Sequence, residues 1–114
     1  MAIDALSDGG TVFVLVEQRL DSSNAPAFNE ELETATGSAS RAVVIDMQGL
    51  DYISSAGLRA IMQAVRRTQQ QGGSLALCSL SSDVRAVFET SGFDQLVAIH
   101  PSRADAVAAV ATEG

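Results

Sequence analysis

Short runs of β-branched and apolar residues recur along this chain, and between successive runs lie stretches whose apolar residues repeat at helical spacing. Thr11-Val12-Phe13-Val14-Leu15-Val16, Ala42-Val43-Val44-Ile45 and Leu75-Ala76-Leu77-Cys78 are apolar on both faces, and Leu96-Val97-Ala98-Ile99 is a shorter run of the same kind. Runs of this length and composition read as strands. Phe28, Leu32 and Ala35 mark the first intervening helix, and Leu58, Ile61, Met62 and Val65 the second, at i, i+3, i+4 and i+7. The other face of the second helix carries Arg59, Gln63, Arg66, Arg67 and Gln70, and Gly72-Gly73 supplies its stop. A third helix holds Val84, Val87 and Phe88, closes on Gly92 and folds Phe93 back onto its last turn. Ser102 opens a fourth, with Asp105 three residues on and Val107 and Val110 as its apolar stripe. A fifth strand over residues 2–6 is expected to pair antiparallel with the first long run across Asp8-Gly9-Gly10.

Strands and helices in alternation imply a parallel sheet joined by right-handed crossovers. The expected fold is α/β: a mixed sheet of four to five strands, mostly parallel with an N-terminal antiparallel hairpin, packed with about four helices. Strands that are apolar on both faces need cover on both. A sequential strand order with right-handed crossovers, however, puts every helix on one face. A displaced helix or a second subunit would cover the other, and the sequence leaves both open. Residues 1–114 read as a single domain, since the gaps between periodic segments are only a few residues long and no repeat or low-complexity tract interrupts them.

Charge narrows the function. Seven basic residues, all arginine, stand against fourteen acidic ones, for a net charge of -7 that repels nucleic acid phosphates and anionic membrane surfaces. The longest apolar runs fall far short of the roughly 20 residues that cross a bilayer. The start Met1-Ala2-Ile3-Asp4 places an acid where a secretion signal carries positive charge, so a soluble cytoplasmic protein is expected. The one cysteine, Cys78, sits in an apolar run and reads as a small buried hydrophobe.

In open α/β sheets, binding sites gather at the carboxyl ends of the parallel strands, beside helix N-termini. Here that edge holds residues 19–24, 48–55, 79–83 and 100–102, and hydroxyls crowd it. Its most distinctive segment is Tyr52-Ile53-Ser54-Ser55-Ala56-Gly57-Leu58, a pair of serines at the mouth of the second helix. A serine at a helix start is by default an N-cap, and local physics favours that role for Ser55 as for Ser22, Ser81 and Ser102. The functional reading is that Ser55 accepts a phosphoryl group, which would set a dianion against the positive end of a helix.

Ile53-Ser54-Ser55-Ala56-Gly57-Leu58, following Val43-Val44-Ile45-Asp46, resembles the phosphorylation loop of bacterial anti-sigma factor antagonists, the STAS domains. The likeness continues at Leu20-Asp21 with Asn24-Ala25, at Gly72-Gly73, at Val84-Arg85-Ala86-Val87-Phe88 and at Ser91-Gly92-Phe93, so it spans nearly the whole chain. In that family the serine two before the glycine is phosphorylated, which here is Ser55. The resemblance implies a module that binds an anti-sigma factor serine kinase while Ser55 is free and so releases a sigma factor. The kinase, with its own ATP and magnesium, then phosphorylates the serine, and a phosphatase resets it. The antagonist itself needs no cofactor or metal. The implied partner-binding residues are Asp21, Ser22, Ser54, Ser55, Ala56, Gly57, Leu58 and Arg59. The chain departs from the common family pattern at Ser54, where many members have aspartate, at Ala56, where many have a second hydroxyl, and at Gln18, often a glycine. Ser54 is thereby a second candidate acceptor.

Each of these residues also has a plainer reading. Asp21 is a turn or capping acid, Arg59 part of a solvated face, and Asp46 a strand-end acid bonded to loop amides. Nucleophilic catalysis by Ser55 would need a base and an orienting group. The single histidine, His100, lies in a Ser/Pro-flanked stretch with no matching signature, so no enzyme is expected. The alternative to the phosphorylated switch is a STAS adaptor subunit of a signalling assembly or lipid-transport ATPase complex, using the same edge without phosphate turnover. Oligomeric state is left open.

Overall fold

The computed structural model describes residues 3–8, 11–36 and 42–113. The chain runs β1 (Ile3–Asp8), β2 (Thr11–Val16), β3 (Gln18–Leu20), α1 (Ala25–Thr36), β4 (Ala42–Asp46), β5 (Leu50–Ile53), α2 (Ser55–Gln70), β6 (Ser74–Cys78), α3 (Ser82–Ser91), a 3-10 turn (Phe93–Gln95), β7 (Ala98–His100) and α4 (Arg103–Glu113). The main sheet has the order β1-β2-β4-β6-β7. β1 is antiparallel to β2, and every other neighbour is parallel. The expected mixed α/β fold with its N-terminal hairpin is therefore present. Residue 2 and the turn glycines Gly9 and Gly10 lie outside the described residues.

The pleat sends alternate side chains to opposite layers. Val14, Val16, Val43, Ile45, Leu75 and Leu77 enter one core with Phe28 and Leu32 of α1, Leu58, Ile61 and Val65 of α2, and Val84 and Phe88 of α3. Val44, Ala76 and Cys78 point the other way, against Ala106 and Val110 of α4. The second face of the sheet is thus covered by the chain's own last helix. α4 comes after β7, the edge strand of the main sheet, and folds back across the face that α1, α2 and α3 leave open. Burial of each large aliphatic side chain in these layers is worth about 1.5–3 kcal/mol.

Three local expectations are corrected. Residues read as loop form a second, two-stranded parallel sheet of β3 and β5, in which Leu20 pairs with Ile53. Their apolar signal is only Leu20, Leu50 and Ile53, buried among exposed neighbours. Glu17 separates β3 from β2, and Gln18, the first residue of β3, adopts φ +70, the left-handed region. The last strand begins at Ala98 rather than Leu96. Gly92 caps α3 at φ +81 as expected, but the 3-10 turn then continues, Leu96 N–H donating to Phe93 C=O at 3.0 Å. Leu96 is left exposed. His100 consequently ends β7 instead of lying in a loop.

Candidate functional site

The small β3–β5 sheet aims the helix mouth. Because its two strands run parallel with Leu20 opposite Ile53, the segments that leave them, Asp21 onward and Ser54 onward, emerge side by side. Ser54 N–H donates to Leu20 C=O at 2.9 Å, tying the start of α2 to the end of β3. Ser54, not Ser55, is the N-cap: its backbone is extended, and its Oγ accepts the Gly57 N–H at 3.2 Å. The first helical bond runs from Leu58 N–H to Ser54 C=O at 2.8 Å. Ser55 therefore occupies the first helical position and is exposed, and its hydroxyl makes no hydrogen bond among the described residues.

Gly57 is buried where α2 meets β3. A Cβ there would stand 2.4 Å from Leu20 O and 3.0 Å from Ile53 Cγ1. Only glycine lets the helix come this close. Leu58 is buried in the main core, while Arg59 is exposed one turn above Ser55.

Asp21 organises the neighbouring loop. Its carboxylate accepts Ser23 O–H at 2.5 Å, Ser23 N–H at 3.0 Å and Arg19 Nε–H at 2.8 Å. Its carbonyl accepts Ala25 N–H at 2.8 Å, and its N–H donates to Asn24 Oδ1 at 2.8 Å. The two bonds from Ser23, with Arg19 beside them, hold the Asp21 carboxyl below the ordinary aspartate range. The turn before α1 is thus held by Asp21 and Asn24. Ser22, expected as a cap, is an exposed turn residue, whereas Ser81 and Ser102 do cap α3 and α4. Arg19 also lies over the half-exposed Tyr52 ring, 5.0 Å from its centroid.

The eight residues singled out in the sequence gather at this one end of the molecule. Ser22, Ala56 and Arg59 line a shallow groove between α1 and α2 with Pro26 and Asn29. Ser55, Leu58 and Arg59 line a second groove of about 420 Å³ between α2 and α3, with Met62, Arg66, Ser91 and Phe93. Arg59 borders both. Sequence reasoning missed the second groove's far wall, Ser91 and Phe93, because only the tertiary packing brings α3 beside α2. The helical spacing of Leu58 and Met62 was the one legible part of it.

On the opposite face of the sheet, Asp46, Cys78 and His100 stand in register at the ends of β4, β6 and β7. Asp46 Oδ1 accepts the Gln48 N–H at 3.0 Å, the expected loop-amide bond, and Oδ2 pairs with Arg103 at 3.3 Å. Burial raises the Cys78 thiol above its ordinary range, and the nearby Asp46 charge adds to this. The cysteine is a packed core residue.

Residues 2–106 match the STAS domain. A protein of Bordetella bronchiseptica named as an anti-sigma factor antagonist, BtrV, is 39% identical over 103 residues, spanning 90% of this chain and 89% of that one. Among solved structures, an anti-sigma factor antagonist of Mycobacterium paratuberculosis superposes with a TM-score of 0.87 at 21% identity, covering 96% of this chain and 92% of that one. The Bacillus cell fate determinant SpoIIAA in its phosphorylated form superposes with a TM-score of 0.71 at 18% identity, covering 96% and 99%. The structural matches agree with the fold described above, and the sequence matches cover the segments that build the helix mouth. The chain belongs to the STAS domain family of anti-sigma factor antagonists.

Proposed function

We propose that this chain is a partner switch: with Ser55 free, its helix-mouth edge binds an anti-sigma factor serine kinase and so releases a sigma factor, and phosphate on Ser55 ends the binding. The observation that carries the reading is the division of labour between the two serines. Ser54 Oγ is committed to the cap, and Ser55 presents an exposed hydroxyl at the first turn. A kinase would find one acceptor free and the other engaged, which favours Ser55 over Ser54. Transfer joins Ser55 Oγ to the γ-phosphorus of the kinase's own ATP, breaks the bond to ADP and releases the hydroxyl proton. The antagonist supplies the nucleophile alone.

Phosphate at this position adds about -1.5 to -2 charge and three acceptor oxygens. The domain tolerates it, because the first-turn N–H groups point outward and the helix dipole favours an anion there. A partner lying flat on the same edge meets bulk and charge instead of a neutral hydroxyl. A phosphatase then restores the binding form. Both phosphorylated and unphosphorylated forms of SpoIIAA have been solved, which supports a fold of this kind accommodating either state.

The test compares Ser55→Ala with Ser55→Asp in binding to the cognate anti-sigma kinase, alongside intact-mass analysis after incubation with that kinase and ATP. The alanine form is expected to bind constitutively and the aspartate form at least tenfold more weakly, a difference of about 1.4 kcal/mol. Equal affinities would favour the adaptor reading, and a phosphate mapped elsewhere would move the switch.

A further inference from the structure

We infer that Arg59 is the internal seat of a phosphate carried by Ser55, so that one modification both adds a dianion at the helix mouth and withdraws a cation from the groove between α2 and α3. The inference rests on the proposed modification of Ser55 and concerns what the phosphate does once attached. Ser55 and Arg59 stand at i and i+4 of α2. Residues so spaced share a helix face, their Cβ atoms about 5–6 Å apart. Both are exposed, and both line the same groove, so a guanidinium and a phosphate on these positions meet in one space.

Arg59 is available for this role. It forms no ion pair among the described residues, whereas Arg19, Arg67, Arg85 and Arg103 each hold a carboxylate. α2 contains no acidic residue. The charged groups on the elements packed around it are Arg19 on β3 with Asp21 just after it, Glu30, Glu31 and Glu33 on α1, Asp51 on β5, Asp83 with the Arg85–Glu89 pair on α3, and Asp94 in the 3-10 turn. Arg66 lines the groove as well, but it lies eleven residues beyond Ser55, about 16 Å along the helix axis. That leaves Arg59 as the groove arginine within reach. Its planar fork takes two phosphate oxygens at once, the geometry in which arginine binds phosphate most strongly. In the unmodified protein the same guanidinium faces the groove and is offered to whatever docks there.

The experiment uses the full chain with phosphoserine genetically encoded at position 55, so that it depends on no kinase. Phosphorus NMR titrates the second ionisation of the phosphate, near 6 when unperturbed, in the wild-type background and in Arg59→Gln, Arg59→Lys and Arg66→Gln. The expected result is a value raised by roughly half a unit in Arg59→Gln, partly retained in Arg59→Lys and unmoved in Arg66→Gln. The Arg59 Nε–H resonance is also expected to shift between the unmodified and phosphoserine forms. Coincident titrations of wild type and Arg59→Gln would overturn the inference, as would an Arg66→Gln shift equal to that of Arg59→Gln. If the titration behaves as expected but no kinase modifies Ser55, the proposed function fails and the pairing stands.

Discussion

Replacing Gly57 by alanine separates two effects of opposite sign. Within a helix, glycine to alanine stabilises by about 1 kcal/mol through backbone entropy alone. At this position the added Cβ would lie 2.4 Å from Leu20 O, 2.9 Å from the Leu20 carbonyl carbon and 3.0 Å from Ile53 Cγ1. An ordinary contact begins at 3.4 Å, so the shortfall against the oxygen is about 1 Å, and the nearest atom is rigid backbone rather than a side chain that can swing away. Relief requires α2 to back off from β3. That strains the packing, at about 1–3 kcal/mol, and lengthens the Ser54 N–H to Leu20 C=O bond of 2.9 Å, which contributes about 1 kcal/mol. Set against the helix-propensity gain, the net expectation is a loss of about 1–3 kcal/mol. Urea denaturation followed by circular dichroism checks it: the midpoint should fall by roughly 1 M with an unchanged slope. A midpoint equal to or above wild type would show that the close approach of α2 to β3 does not constrain this residue.

Other perturbations test the same construction. Gln18→Gly relieves a non-glycine residue at φ +70; the left-handed penalty of about 1–2 kcal/mol outweighs the extra entropy of glycine, so the thermal midpoint should rise. Ser54→Ala removes the cap on Gly57 N–H and should cost about 1 kcal/mol in urea denaturation, whereas Ser55→Ala should change stability little. For Asp21 the folded carboxyl titrates below its unfolded value, so its stabilisation is present above about pH 4 and is lost as pH falls through the folded value. Asp21→Asn should therefore be less stable than wild type at pH 7, and denaturation curves for the two should converge as the pH is lowered past that range.

Much of the molecule was legible because it depends on residues close together in the chain. The alternation of two-faced apolar runs with helical periods required a layered α/β sheet, and Gly92, Ser81 and Ser102 mark helix ends by interactions within a few residues. The segment holding the candidate acceptor was legible for the same reason, since a serine pair before Ala56-Gly57 sits at the mouth of the most clearly periodic helix. Which serine caps was not. That choice turns on where the first turn of α2 begins, and the turn is held by Leu20 C=O, more than thirty residues upstream. The β3–β5 sheet escaped notice because strands of three and four residues carry too few apolar side chains to show a period.

By itself, then, the sequence determined the order of the long strands and the helices, the parallel sheet, the helix stops and the exposed hydroxyl-rich edge, all of which follow from backbone preference and side-chain periodicity over short spans. Only the tertiary structure decided that α4 closes the second face, that Gly57 must be glycine, that Ser54 is occupied while Ser55 is free, and that α3 supplies the far wall of the groove. Three of those are contacts between segments distant in the chain, and the choice of capping serine follows from another, the Ser54 N–H bond to Leu20 C=O; such contacts are selected by how whole surfaces pack rather than by any local run of residues.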